Sequence, residues 1–221
     1  MRALVVVIEG LSDRLTTALR LEAGGQSLDI PIPPPWLIGI GNLGSAGWGP
    51  KGFDPARKVV AADETLSKAE GFGMPVELAP GSPLTWYRHI AGLDFGGGNS
   101  PGAIDFASIV FFQNFDIAYG ARWIESKAGQ PVTIKIKPNG FAAGSYLSVW
   151  LNGEPVFTGQ LAETRSGKDF PVTLRAGSNA LVFKSNNFQT QWQFAIDLAG
   201  ENLDALRISA TPPAAAAKPA K

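Results

Sequence analysis

The chain has 221 residues, 45% hydrophobic and 17% charged, which is enough apolar material for a sizeable core and too much for a wholly disordered chain. Lys+Arg 19 against Asp+Glu 19 leaves no net charge, and no basic run is present, which argues against a nucleic-acid partner. Cysteine is absent, so disulfides, thiolate metal sites and a thiol nucleophile are all excluded.

No stretch approaches the ~20 apolar residues of a membrane span. The opening MRALVVVIEGLSDR is interrupted by Glu9 and lacks a small-x-small cleavage site, so Ala3 to Ile8 reads as a strand rather than a secretion signal. Thr17 to Leu21 reads as a second strand. This opening resembles the chain's own end. Ile8-Glu9 matches Ile196-Asp197, and Ala18-Leu19-Arg20-Leu21 matches Ala205-Leu206-Arg207-Ile208, with a spacing different by one residue. Two readings stand: a true repeat, the start being the last hairpin of an upstream copy, or chance similarity between two amphipathic hairpins.

Gly24 to Pro35 reads as a polar turn and a proline-rich connector, because proline removes ladder donors. It marks the boundary between an N-terminal hairpin segment, 1–30, and the main domain, 31–210. Trp36 to Ile40 is the first strand of that domain. Gly41 to Asp105 is rich in glycine and proline and reads as long ordered loops, with two helical turns over Asp63 to Glu70 capped by Asp63. The glycines at 96–98 lack a preceding strand and a following helix, so they do not form a phosphate loop.

From Ile104 strand signals crowd together. Ser108 to Phe112 is one strand. In Ile117 to Ser126, Tyr119, Ala121 and Trp123 share a face. Val132, Ile134 and Ile136 alternate with Thr133, Lys135 and Lys137. In Tyr146 to Phe157, Leu147, Val149 and Leu151 point one way, while Ser148, Trp150 and Asn152 point the other. Asn152-Gly153 between two such runs predicts a type I′ hairpin, since both central residues need positive φ. Phe170 to Leu174 and Asn179 to Lys184 read as a further hairpin around Ala176-Gly177-Ser178. Gln191 to Leu198 and Leu206 to Ala210 complete the set. Short strands at regular spacing predict an all-β antiparallel sandwich. The end, 211–221, has no core-forming residues and reads as a mobile tail.

Several runs in this order resemble known modules: W-L-I-G at Trp36, A-Y-G-A-R-W-I-E-S at Ala118, V-W-L-N-G at Val149, V-T-L-R-A-G-S-N-A-L-V-F-K at Val172 and W-Q-F-A-I-D-L at Trp192. Together they resemble the galactose-binding-like and PA14-like jelly-roll β-sandwich modules of bacterial extracytoplasmic proteins. The resemblance spans Trp36 to Ala210. It implies a jelly roll, usually non-catalytic, in a periplasmic or extracellular protein that binds a glycan or docks on a protein partner. Many PA14-like members hold calcium and sugar with adjacent acidic residues just before the W-L-N-G strand. Here that place reads Pro138-Asn139-Gly140-Phe141, so no calcium site and no cofactor is carried over.

His89 is the only histidine and reads as a plain loop residue rather than a triad member. Asp94, Asp105 and Asp116 lack EF-hand spacing. The candidate ligand-binding residues are the loop aromatics Trp48, Trp86 and Tyr87, which could stack on a sugar ring or cap the core. The amides Asn186, Asn187 and Gln189, joined by Gln191, both donate and accept hydrogen bonds as sugar hydroxyls require. Trp36, Trp123, Trp150 and Trp192 are assigned to the core. The leading expectation is a binding module. An assembly subunit of a larger complex and a carbohydrate-active hydrolase are the alternatives.

Overall fold

A computed structural model describes residues 17–23, 26–32, 34–42, 60–90, 102–106, 116–138, 146–161, 167–186 and 192–213. The expected strands at Ala3 to Ile8 and Ser108 to Phe112 lie outside them. The elements are β1 (Thr17–Ala23), β2 (Gln26–Ile32), β3 (Trp36–Asn42), α1 (Val60–Leu66), β4 (Glu77–Ala79), β5 (Ser82–Pro83), β6 (Thr85–His89) and β7 (Ala103–Asp105). They continue as β8 (Asp116–Ser126), β9 (Gln130–Pro138), β10 (Tyr146–Leu151), β11 (Glu154–Gln160), β12 (Lys168–Leu174), β13 (Gly177–Asn186), β14 (Gln193–Ala199) and β15 (Arg207–Ser209).

The architecture is an antiparallel β-sandwich. A seven-stranded sheet runs β11-β10-β13-β8-β3-β6, with β15 pairing β8 as well. β3 and β15 share one flank of β8: β3 pairs residues 116–121 and β15 pairs residues 123–125. A four-stranded sheet runs β12-β9-β14-β7 and faces it. Period-two alternation builds the space between them. Trp36, Ile38 and Ile40 of β3, Leu147, Val149 and Leu151 of β10, and Leu181 and Phe183 of β13 meet Val132, Ile134 and Ile136 of β9 and Phe194 and Ile196 of β14. The Phe183 and Phe194 rings meet edge to face across the sheets at 5.2 Å.

One charged group bridges this apolar layer. Arg122 lies over the Trp36 ring at 4.3 Å and donates from Nη2 to the Ile196 carbonyl at 2.7 Å. The last pairing of β14 with β7 is at Ala195, so the arginine takes over one residue beyond it. Burial pushes the guanidinium down to about 10, against the opposing pull of Asp197, and it stays charged at neutral pH.

The outer face of the large sheet is also covered. Ile117, Tyr119, Ala121 and Trp123 of β8, Leu37 of β3 and Val182 of β13 pack under Ala62 and Leu66 of α1 and under Phe72, Leu78 and Leu84. Ala62 and Leu66 are one helical turn apart and so share the buried face. A helix of this length is marginal alone, so this packing holds it. β3 carries glycine where the cover comes closest: a Cβ at Gly39 would lie 2.6 Å from the Trp86 ring, and one at Gly41 2.5 Å from Leu78.

The Asn152-Gly153 turn is as expected, with φ 55 and 83 and with Leu151 opposite Glu154. A bulge between Val149 and Trp150 shifts the register against β11, beside Pro155 on the sheet edge. Gly153→Val is expected to cost about 1–3 kcal/mol through backbone strain alone, since the space at that Cβ is ordinary. Chemical denaturation checks this, with Gly153→Ala falling between valine and the native residue.

Four expectations are corrected. The first described hairpin is β1–β2, so 26–32 pairs as a strand rather than serving as a connector. A two-stranded ribbon leaves each strand one unpaired edge, where a proline such as Pro31 is tolerated. β12 and β13 do not form a hairpin: β12 pairs β9 and β13 pairs β10 and β8, so the chain changes sheets at 175–176. Asp63 sits inside the first turn of α1 rather than capping it. Trp150 is half-buried and packs on the outer layer, not in the sandwich core that holds Trp36 and Trp192.

Candidate functional site

The cover over the large sheet stops short of β10 and β11. Where α1 ends its overhang, a step forms between the helix and the bare outer face. That step is an open groove of about 720 Å³. Its floor is Tyr146, Ser148 and Trp150 of β10, Thr158 of β11, and Lys184 and Asn186 of β13. Its wall is Asp63 and Glu64 of α1, with Ser67 and Lys68 of the turn that follows.

Strand register puts these side chains together. Tyr146 lies opposite Asn186, and Ser148 lies between Lys184 on one side and Thr158 on the other. Alternation then sends all of them to the same face. The Thr158 hydroxyl donates to the Phe157 carbonyl at 2.8 Å and lies 3.3 Å from the Ser148 hydroxyl. Asn186 is a largely buried part of the floor. The Trp150 ring rests on the outer hydrophobic layer and presents its remaining surface to the groove.

The Asp63 charge at the wall is matched within the protein. Lys184 Nζ lies 2.8 Å from one Asp63 carboxylate oxygen, and the Tyr119 hydroxyl donates to the other at 2.7 Å. The Lys184 and Asp63 side chains are 8% and 21% exposed, so the pair is largely shielded from solvent. Burial raises the Tyr119 phenol well above its usual value, and the Asp63 charge and hydrogen bond push the same way, so it stays protonated. The Asp63–Tyr119–Lys184 contact pins α1 to β8 and β13 and so fixes the height of the wall.

Of the residues expected to bind ligand, Asn186 lies in the groove. Trp86 and Tyr87 are on strand β6 rather than in loops, and two strands, β3 and β8, separate β6 from β13. Trp86 packs over Gly39, meets Phe72 at 5.2 Å and donates from its indole nitrogen to the Met74 carbonyl at 2.7 Å. Tyr87 points to the other face of that edge strand and is exposed. Trp48, Asn187 and Gln189 lie outside the described residues. His89 is buried at the end of β6, not in a loop. The site's main residues, Asp63, Tyr146, Ser148, Trp150, Thr158 and Lys184, were not singled out as ligand-binding. The one available signal was the shared face of Ser148 and Trp150.

Among the described residues no group of three or more His, Asp or Glu side chains could hold a metal, and no helix is long and apolar enough to cross a membrane. No family model and no curated protein matches the chain. Among solved structures, the chain is similar to the A domain of epithelial adhesin 9 of Candida glabrata, determined in complex with Galβ1-3GlcNAc and again with Galβ1-4GlcNAc. In both, identity is 11%, the TM-score is 0.44, and the match covers 80% of this chain and 90% of that chain.

Proposed function

We propose that the protein is a non-catalytic, jelly-roll glycan-binding module that works outside the cytoplasm, with the groove beside α1 as its binding site. The observation that carries this reading is the groove's lining. Two aromatic side chains, Tyr146 and Trp150, share a floor with the hydroxyls of Ser148 and Thr158 and the amide of Asn186. An aromatic face packs on the apolar face of a sugar ring, while hydroxyl and amide groups pair with its hydroxyls. Open sites with few polar groups on an apolar floor are ordinary ligand sites. The non-catalytic part rests on Asp63. Both its carboxylate oxygens are engaged, by Tyr119 and by Lys184. Its neighbour Glu64 is on the same wall, whereas a glycosidase needs carboxylates flanking the bond from two sides. In this reading 31–210 is the binding module, 1–30 the hairpin segment before it and 211–221 a mobile tail.

A glycan array tests the proposal. The expected result is specific binding that weakens tenfold or more in Trp150→Ala, while the thermal unfolding of that variant stays cooperative. A silent array with co-purification of a large partner would favour the assembly role instead. Release of product from polysaccharide would overturn the non-catalytic reading.

A further inference from the structure

We infer that the groove takes the interior of an uncharged, linear oligosaccharide lying along β10, rather than a single terminal sugar. This rests on the glycan reading above and adds the ligand's class and direction.

Length is the first argument. Tyr146 and Trp150 stand four residues apart on the same face of one strand, about 13 Å at ~3.3 Å per residue. That backbone separation is longer than one pyranose ring, so the two aromatics offer two stacking positions along the strand. A chain of at least three units can fill both, with Ser148 between them and with Lys184 and Asn186 alongside from β13. The groove is an open step beside a helix, so a chain can continue past the floor without meeting a closed end.

Charge is the second argument. The wall carries Asp63 and Glu64 against Lys68, and the floor carries Lys184, so the signs balance. Lys184 is held 2.8 Å from Asp63. At Lys184 an incoming carboxylate or sulfate would have to displace Asp63, and even beside the exposed Lys68 it would face both acidic groups of α1. Neutral hydroxyls meet no such opposition, and they can accept from Lys184 or donate to Asp63 without breaking the ion pair.

Titration calorimetry with a length series of neutral glucans, mannans and xylans tests this, from the monosaccharide to the hexasaccharide, alongside uronate chains of matched length. The expected result is affinity for one neutral series that rises at least tenfold from one to four units and then levels. Raising salt from low to high ionic strength should change it less than twofold. Tyr146→Ala and Trp150→Ala should each weaken tetrasaccharide binding tenfold or more. Tyr146→Ala, which removes no part of the outer hydrophobic layer, keeps the test decisive if Trp150→Ala folds poorly. A monosaccharide that binds as tightly as the longer chains overturns this inference and leaves the glycan reading standing. So does a preference for uronate chains. No binding by any saccharide overturns both.

Discussion

Phe183→Ala is expected to lower stability by about 3–5 kcal/mol, at the top of the range for a single side chain here. Phe183 is fully buried at the centre of the sandwich. Its ring meets Trp36 at 5.1 Å, Phe194 at 5.2 Å and Phe106 at 6.3 Å. It also lies directly on the backbone of β8, where a Cβ at Gly120 would sit 2.1 Å from Phe183 Cε1. Gly120→Ala alone therefore forces the ring out of place and should cost about 3 kcal/mol, the upper end of overpacking. The two changes should not add. In the Phe183→Ala background the new Cβ has empty space to enter, so Gly120→Ala should become close to neutral. Denaturant unfolding of the four proteins in this cycle measures the coupling, expected at about 2–3 kcal/mol. Simple additivity would mean that Phe183 does not rest on Gly120.

The second large effect is expected at the wall of the groove. Lys184→Met keeps the length and packing of the side chain but leaves Asp63 partly buried without its cation. The expected cost is about 2–4 kcal/mol, below the most severe cases because Asp63 retains 21% exposure and the Tyr119 hydroxyl. Asp63→Leu in the same chain should restore most of the loss, since replacing both partners leaves no stranded charge. Binding should not fully return with it, because the groove has then lost the Asp63–Lys184 pair that ligand hydroxyls would meet. Tyr119 gives the pair a pH signature. Its folded value is raised, so its contribution is complete below the unfolded phenol's pKa of ~10 and is lost as pH rises above it. Stability should fall on the alkaline side in the native protein and fall less steeply in Tyr119→Phe. Equal alkaline slopes would show that Tyr119 does not carry that term.

Much of the sandwich was legible in the residues because its signals are local. Alternation in β9 and β10 told which side chains share a face, and Asn152-Gly153 told where β10 turns back. Pattern alone could not tell which faces are covered. A tryptophan in a strand pattern reads as core, and Trp150 fits that pattern. Its face became a groove floor only because α1, nearly ninety positions earlier, stops short of it. The same limit explains β12 and β13: turn residues mark where a chain bends, not whether the two strands pair or part to different sheets. The Lys184–Asp63 contact joins positions 121 apart in sequence, and no spacing rule connects them. Trp86 and Tyr87 looked like loop aromatics because glycine and proline surround them, and the edge strand they form is only five residues long.

The Asn152-Gly153 turn also bears on how the protein ages. Asparagine before glycine is the pair most prone to deamidation, in which the glycine nitrogen attacks the side-chain amide and ammonia leaves. Here that amide is held at both ends. Its oxygen accepts from the Ala180 nitrogen at 2.9 Å, and its nitrogen donates to the Asn179 oxygen at 3.0 Å. Asn179 is itself fastened to the carbonyls of Ile124, Arg175 and Gly177. The side chain must let go of this mesh before the glycine nitrogen can attack it, so folding protects this pair. Once converted to aspartate, residue 152 would bring an oxygen against the Asn179 oxygen, and its side chain would lose one of its two hydrogen bonds to β13. Deamidation at this turn is thus set by how often that end of the sandwich opens.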